Sequence, residues 1–187
     1  MNLDELSFIL QELKSLKNSP GRSKCQALTV YLFWLKTSLD QNSIAYIFGS
    51  IDRNKVKNYC KQVREALTLD FVHHFLGANS KSREEWLDQN SEMSKLLFDM
   101  SEDQLGVIAD GTYLYTEKSK NNNLQREMYS GQKKCHLIKP FVMCTTNGYI
   151  INIYGPYPAT SNDSKIINHI MDTEDDIKQL IRPNDGL

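Results

Sequence analysis

Gly106-Val107-Ile108-Ala109-Asp110-Gly111-Thr112, His136-Leu137-Ile138-Lys139-Pro140-Phe141-Val142-Met143-Cys144-Thr145 and Tyr149-Ile150-Ile151-Asn152-Ile153-Tyr154 follow one another in the C-terminal half of the chain. The first is a short apolar run that stops on a carboxylate and a glycine. It is too short for a helix and apolar on both faces, so residues 106–110 read as a buried strand ending in Asp110. The other two are rich in β-branched and aromatic residues. Asn147-Gly148 between them offers the positive φ angles of a tight turn, which predicts an antiparallel hairpin of 136–145 and 149–154. Gly155-Pro156-Tyr157-Pro158-Ala159-Thr160-Ser161-Asn162-Asp163 comes next and leads into the helix-like Ser164–Met171. The order is therefore a strand ending in Asp, a hairpin, and a helix whose first turn carries a second Asp.

That order resembles the transposase-type DDE superfamily endonucleases, in particular their Harbinger-like branch. The resemblance rests on Ile108-Ala109-Asp110-Gly111-Thr112, Tyr129-Ser130-Gly131-Gln132-Lys133-Lys134, the Asn147-Gly148 hairpin and Gly155 to Asp163, and it spans about residues 25–187. Pro158-Ala159-Thr160 stands where the family often has Pro-Gly-Ser. The resemblance implies an α+β chain, with a helix-turn-helix-like unit at about 39–67 in a helical domain of residues 1–100. A partial RNase H-like α/β core would follow over 101–187. It implies DNA as partner, Mg2+ or Mn2+ as cofactor and a nuclear location, and leaves self-association open. In such cores further acids follow a later strand and a later helix. The sequence reaches Leu187 before either, so the resemblance implies an incomplete acid set and a truncated copy.

Composition sets wider bounds. The 187 residues are 40% hydrophobic and 24% charged with a net charge of −1, which suits a soluble globular protein with a real core. No apolar run approaches the eighteen or so residues of a membrane span, and the N-terminus lacks a secretory signal pattern. Cys25, Cys60, Cys135 and Cys144 form no Cys-x-x-Cys pair, so they read as reduced thiols of an intracellular protein. Nothing in the sequence points to a small-molecule substrate.

In the N-terminal half, leucines 3, 6, 10, 13 and 16 predict an amphipathic helix over 3–17. Ser23 is placed to cap a strongly apolar helix over 24–37. Ala45 and Gly49 suit the contact and turn of two helices. The second of these presents Arg53, Lys55, Lys57, Lys61 and Arg64 around Val56, Tyr59 and Val63. Compared with the helix-turn-helix it resembles, its turn is one residue longer. Five cations on one helix can meet phosphates or guanine edges; a solvated helix face carries the same residues. The loop before the expected strand 136–145 leads to Arg126, Tyr129, Lys133, Lys134, His136 and Lys139; basic residues near the strand-end acid fit a polyanionic substrate, and an exposed loop would look alike.

Phosphodiester cleavage without a protein nucleophile is driven by divalent ions held on carboxylates. Asp110 is the first candidate catalytic and metal-binding acid, against a turn aspartate that bonds its own backbone. Asp163 is the second, against a first-turn carboxylate that complements the helix dipole. Both are expected at one end of the sheet, flanking one ion. Two function classes therefore stand: a metal-dependent DDE-type DNA endonuclease or transposase, or an inactive transposase-derived DNA-binding or interaction protein.

Overall fold

The computed structural model describes residues 2–49 and 51–186. Two compact units divide between Phe75 and Leu76. The expected division between residues 100 and 101 falls inside the second unit. The reason is packing: Ala78 and Trp86 lie in the same buried cluster as Val107, Phe141 and Ile151, so the short helices before Ser101 belong to the sheet.

In the first unit, helices α1 (Leu3–Glu12), α2 (Lys24–Thr37), α3 (Gln41–Ile47), α4 (Arg53–Asp70) and α5 (Val72–Phe75) follow in order. The asparagine and glutamate of a capping box start α1, with Asn2 and Glu5 exchanging bonds of 2.8 Å. The helix stops at Glu12, short of the expected Lys17. Leu13 and Leu16 are nevertheless buried, because the chain beyond α1 is held down by the Ser15 amide donating to Asp70. Ser23 caps α2 as its sequence predicts. Leu28, Ile44, Val56 and Val63 make the centre of this unit. Ala45 is buried, and Gly49 has φ +83°, the left-handed conformation a turn glycine supplies. Ser50 lies outside the described residues.

The second unit begins with a 3-10 turn (Ala78–Ser80), α6 (Arg83–Leu87) and α7 (Glu92–Phe98). A sheet follows: β1 (Val107–Gly111), β2 (Leu114–Tyr115), β3 (Tyr129–Ser130), β4 (Cys135–Thr145) and β5 (Ile150–Pro158), with α8 (Asn122–Met128) before β3. Two helices, α9 (Asp163–Thr173) and α10 (Asp175–Leu180), end it. All strands pair with β4, and every pairing is antiparallel. The three expected strands are therefore present in one sheet, with β4 and β5 as the hairpin. Its turn uses one positive φ, at Gly148, where the Gly148 amide donates to Thr145 at 2.8 Å. Asn147 serves differently, accepting from the Thr145 hydroxyl and the Tyr149 amide.

Period-two alternation buries Leu137, Phe141, Met143 and Thr145 along β4. On β5 the buried pair is Ile151 and Tyr154, three apart, because the register slips between Met143 and Cys144. Ile166 and Ile170 of α9, with Ile177 and Leu180 of α10, cover this face. Trp86 is fully buried in the same cluster, its indole N–H donating to the Ala78 carbonyl at 2.8 Å. The last described residues lie against β1. Gly186 makes a parallel bridge to Gly106, giving its carbonyl to the Val107 amide and its amide to the Leu105 carbonyl. Asp185 anchors that bridge through a two-pronged ion pair with Arg83, at 2.7 and 2.9 Å, and by accepting from the Leu105 amide. Among the described residues no helix is long and apolar enough to cross a membrane.

Candidate functional site at the end of strand β1

Strand β1 carries the first candidate acid to the sheet's margin. Val107, Ala109 and Gly111 face the helices, while Ile108 and Asp110 face the open side, as the burial along the strand records. The Asp110 carboxylate is exposed and makes no hydrogen bond or ion pair among the described residues. It is not the self-bonded turn aspartate that its position before a glycine also allowed.

Asp163 opens α9 on the other face. Capping is done by Asn162, whose side chain accepts from the Lys165 amide at 2.9 Å, so the Asp163 carboxylate is not used as a cap. It receives the Lys139 ammonium instead, at 2.6 Å. The same ammonium donates to the Ser161 carbonyl at 2.9 Å. Lys139 is only 5% exposed, whereas the Asp163 side chain is 49% exposed. A Cβ added at Gly111 would stand 2.9 Å from Lys139 Cε and 3.1 Å from Asp163 Oδ1. Glycine is thus the residue that lets the ion pair close over β1. Asp163 reaches Gly111 at the end of β1 from the helix-covered side, while Asp110 faces the open side.

The sequence groups Lys139 with the basic residues that suit a polyanion, and the structure buries it instead. It falls on the inward set of β4, with Leu137, Phe141 and Met143, and a lysine at such a position needs a buried anion. Tyr113 is an addition to the candidate residues. Its ring lies beneath Lys139 Nζ at 5.8 Å and Lys133 Nζ at 5.3 Å, within the range of cation–π attraction. Lys133 and Lys134 are exposed in the turn between β3 and β4. Lys134 takes φ +59° there, and its amide closes the turn on the Ser130 carbonyl at 2.8 Å.

Residues 109–179 match the family model of the DDE superfamily endonuclease. The match covers less than half of the 187 residues and marks the similarity of this segment to that superfamily. The match opens one residue before Asp110 and ends in α10, so the matched segment contains Asp110, Lys139 and Asp163. No curated protein and no solved structure matches the chain.

DDE superfamily endonucleases generally use divalent metals, and the donor set of this segment tests that fit. Among the described residues no group of three or more His, Cys, Asp or Glu side chains gathers to hold an ion. Asp110 is an available hard oxygen donor, while one oxygen of Asp163 is taken by an ammonium. The residues fit one carboxylate ligand position and do not fit a closed cage for two ions.

The five candidate DNA-contacting cations of the first unit, Arg53, Lys55, Lys57, Lys61 and Arg64, all lie exposed on α4. At 100° per residue, Arg53, Lys57, Lys61 and Arg64 share one arc of about 80° beside the buried stripe of Val56, Cys60 and Val63. Lys55 falls on the other side of that stripe, in a shallow hollow it lines with Arg22, Asn58 and Tyr59. Lys61 approaches Glu65 at 3.7 Å with both side chains largely exposed, an i,i+4 contact too solvated to neutralise the stripe.

Proposed function

We propose that this chain is a DDE-type DNA endonuclease or transposase of the Harbinger-like branch, working with Mg2+ or Mn2+ and presenting its substrate through the first unit. The observation that carries the reading is a carboxylate at the end of β1 that is unpaired among the described residues, inside the segment matched to the superfamily. The antiparallel order of β1, β4 and β5, the helix α9 that follows, and the parallel bridge of Gly186 beside β1 support an RNase H-like core. Asp110 and Asp163 are the acids of the site, and Asp110 is the one that would hold the ion. When bound, the ion would supply a polarised water and charge neutralisation at phosphorus.

The rest of the reading concerns DNA. The helices α3 and α4 form the helix-turn-helix-like unit, with Ala45 and Gly49 at its turn. Arg53, Lys57, Lys61 and Arg64 contact phosphates, and Lys55 adds charge from the opposite flank. Lys133, steadied over Tyr113, and Lys134 meet the backbone near the cleavage site. A nuclear location goes with the family resemblance. The test is incubation of the full chain with supercoiled plasmid in Mg2+, in Mn2+ and in excess chelator. Nicked circles that need the metal support the reading. Binding to the plasmid with no nicking under any of these conditions supports an inactive DNA-binding protein instead.

A further inference from the structure

We infer that Lys139 is the resident cation of the β1 end and that it makes Asp163 a positioning residue, leaving Asp110 as the acid open to a metal. The inference rests on the proposed metal site and divides its two acids between two tasks. Three observations carry it. The Lys139 ammonium is almost wholly buried, and its recorded oxygen partners are Asp163 Oδ1 at 2.6 Å and the Ser161 carbonyl at 2.9 Å. A buried ammonium without its anion is strongly disfavoured, so the pair resists exchange of Asp163 to another cation. Second, Gly111 leaves room for the lysine stem to cross β1, with Lys139 Cε standing 2.9 Å from the place a Cβ would take. Third, Asn162 already caps α9, so the Asp163 carboxylate has no competing duty at the helix start.

The arrangement has a consequence for geometry. Lys139 sits on the long central strand, Asp163 on the first turn of α9, and Gly111 next to Asp110 on β1. One ammonium therefore ties the turn 158–163 and the helix start to the strand end that presents Asp110. The tie lies on the helix-covered face, and Asp110 points to the open face. A metal approaching Asp110 meets no need to displace Lys139.

The Lys139 Nζ ammonium can be followed by nitrogen-detected NMR on the full chain, assigned through side-chain correlations so that no variant at Lys139 has to fold. The expected spectrum shows a slowly exchanging ammonium signal that shifts or broadens in Asp163→Asn. Adding Mg2+ to the wild-type chain shifts amides around Asp110 and leaves the Lys139 signal in place. An unmoved Lys139 signal in Asp163→Asn overturns the inference. So does a Lys139 signal that moves with Mg2+ in step with Asp110, a result the wild-type chain gives by itself. If Mg2+ shifts nothing near Asp110, the proposed metal site fails, and the Asp163→Asn spectrum still decides the role of Lys139.

Discussion

Replacing Gly111 with alanine adds one methyl group where the ion pair crosses β1. The new Cβ would lie 2.9 Å from Lys139 Cε and 3.1 Å from Asp163 Oδ1. Ordinary carbon–carbon contacts run at about 3.5–4.0 Å, so the lysine stem has to move by roughly half an ångström or more. Overpacking of that kind costs about 1–3 kcal/mol. Alanine in a strand recovers about 0.5–1 kcal/mol of the backbone entropy that glycine loses on folding. The φ of Gly111 lies outside the left-handed region, so no strain is added. At the middle of both ranges the difference is a net loss of about 1 kcal/mol, or roughly 0.3–1 M in the urea midpoint at slopes of about 1–3 kcal/mol/M. The chain has two tryptophans, Trp34 in the first unit and Trp86 in the second. Urea unfolding in a Trp34→Phe background, read by Trp86 fluorescence, therefore reports the unit that carries Gly111. Gly131→Ala is the control, since nothing lies within 4 Å of its added Cβ. A Gly111→Ala chain as stable as the wild type, or more stable, would refute the claim that the ion pair closes on this glycine.

Asp185 gives the acid limb of stability. Burial pushes its carboxyl up, and hydrogen bonds from Arg83 and from the Arg182 and Leu105 amides outweigh this, holding it below the usual carboxylate range. A depressed folded value contributes stability above the unfolded pKa of about 3.9 and loses it as pH falls through the folded value. Asp185→Asn should therefore lose about 3–5 kcal/mol at neutral pH, the cost of leaving a buried partner unpaired, and show a flatter decline below pH 4; equal acid limbs in variant and wild type would contradict this. On α4, glutamine at Arg53, Lys57, Lys61 or Arg64 should each lower the salt slope of duplex DNA affinity by about one, and Lys55→Gln by less. Fluorescence anisotropy with the full chain across a salt series measures it, and equal effects at all five positions would count against a single contact arc.

Most of the sheet was legible in the sequence because its signals are local. Val107-Ile108-Ala109 is apolar on both faces, β4 alternates, and Gly148 ends it in a turn. The strand-end acid was legible for the same reason. Asp163 was placed correctly in the first turn of α9, but its partner was not foreseen. Lys139 looks like one more basic residue among Lys133, Lys134 and His136 until the alternation of β4 assigns it to the inward face. The unit boundary was hidden because Trp86 and Ala78 declare their allegiance only through contacts with residues far along the chain. Helix α1 ends early for a related reason: Leu13 and Leu16 keep the leucine period while the backbone is turned aside by Ser15 and Asp70.

In the proposed function, Asp110 is the acid through which the matched segment works. Asp110→Asn keeps the size and shape of an exposed side chain that has no partner among the described residues, so fold and DNA affinity should be unchanged. Single-turnover cleavage of a labelled duplex in Mn2+, with binding measured on the same substrate, isolates the chemical step. The account predicts cleavage by the wild-type chain, none detectable by Asp110→Asn, and equal binding by both. Cleavage by Asp110→Asn at the wild-type rate would contradict it.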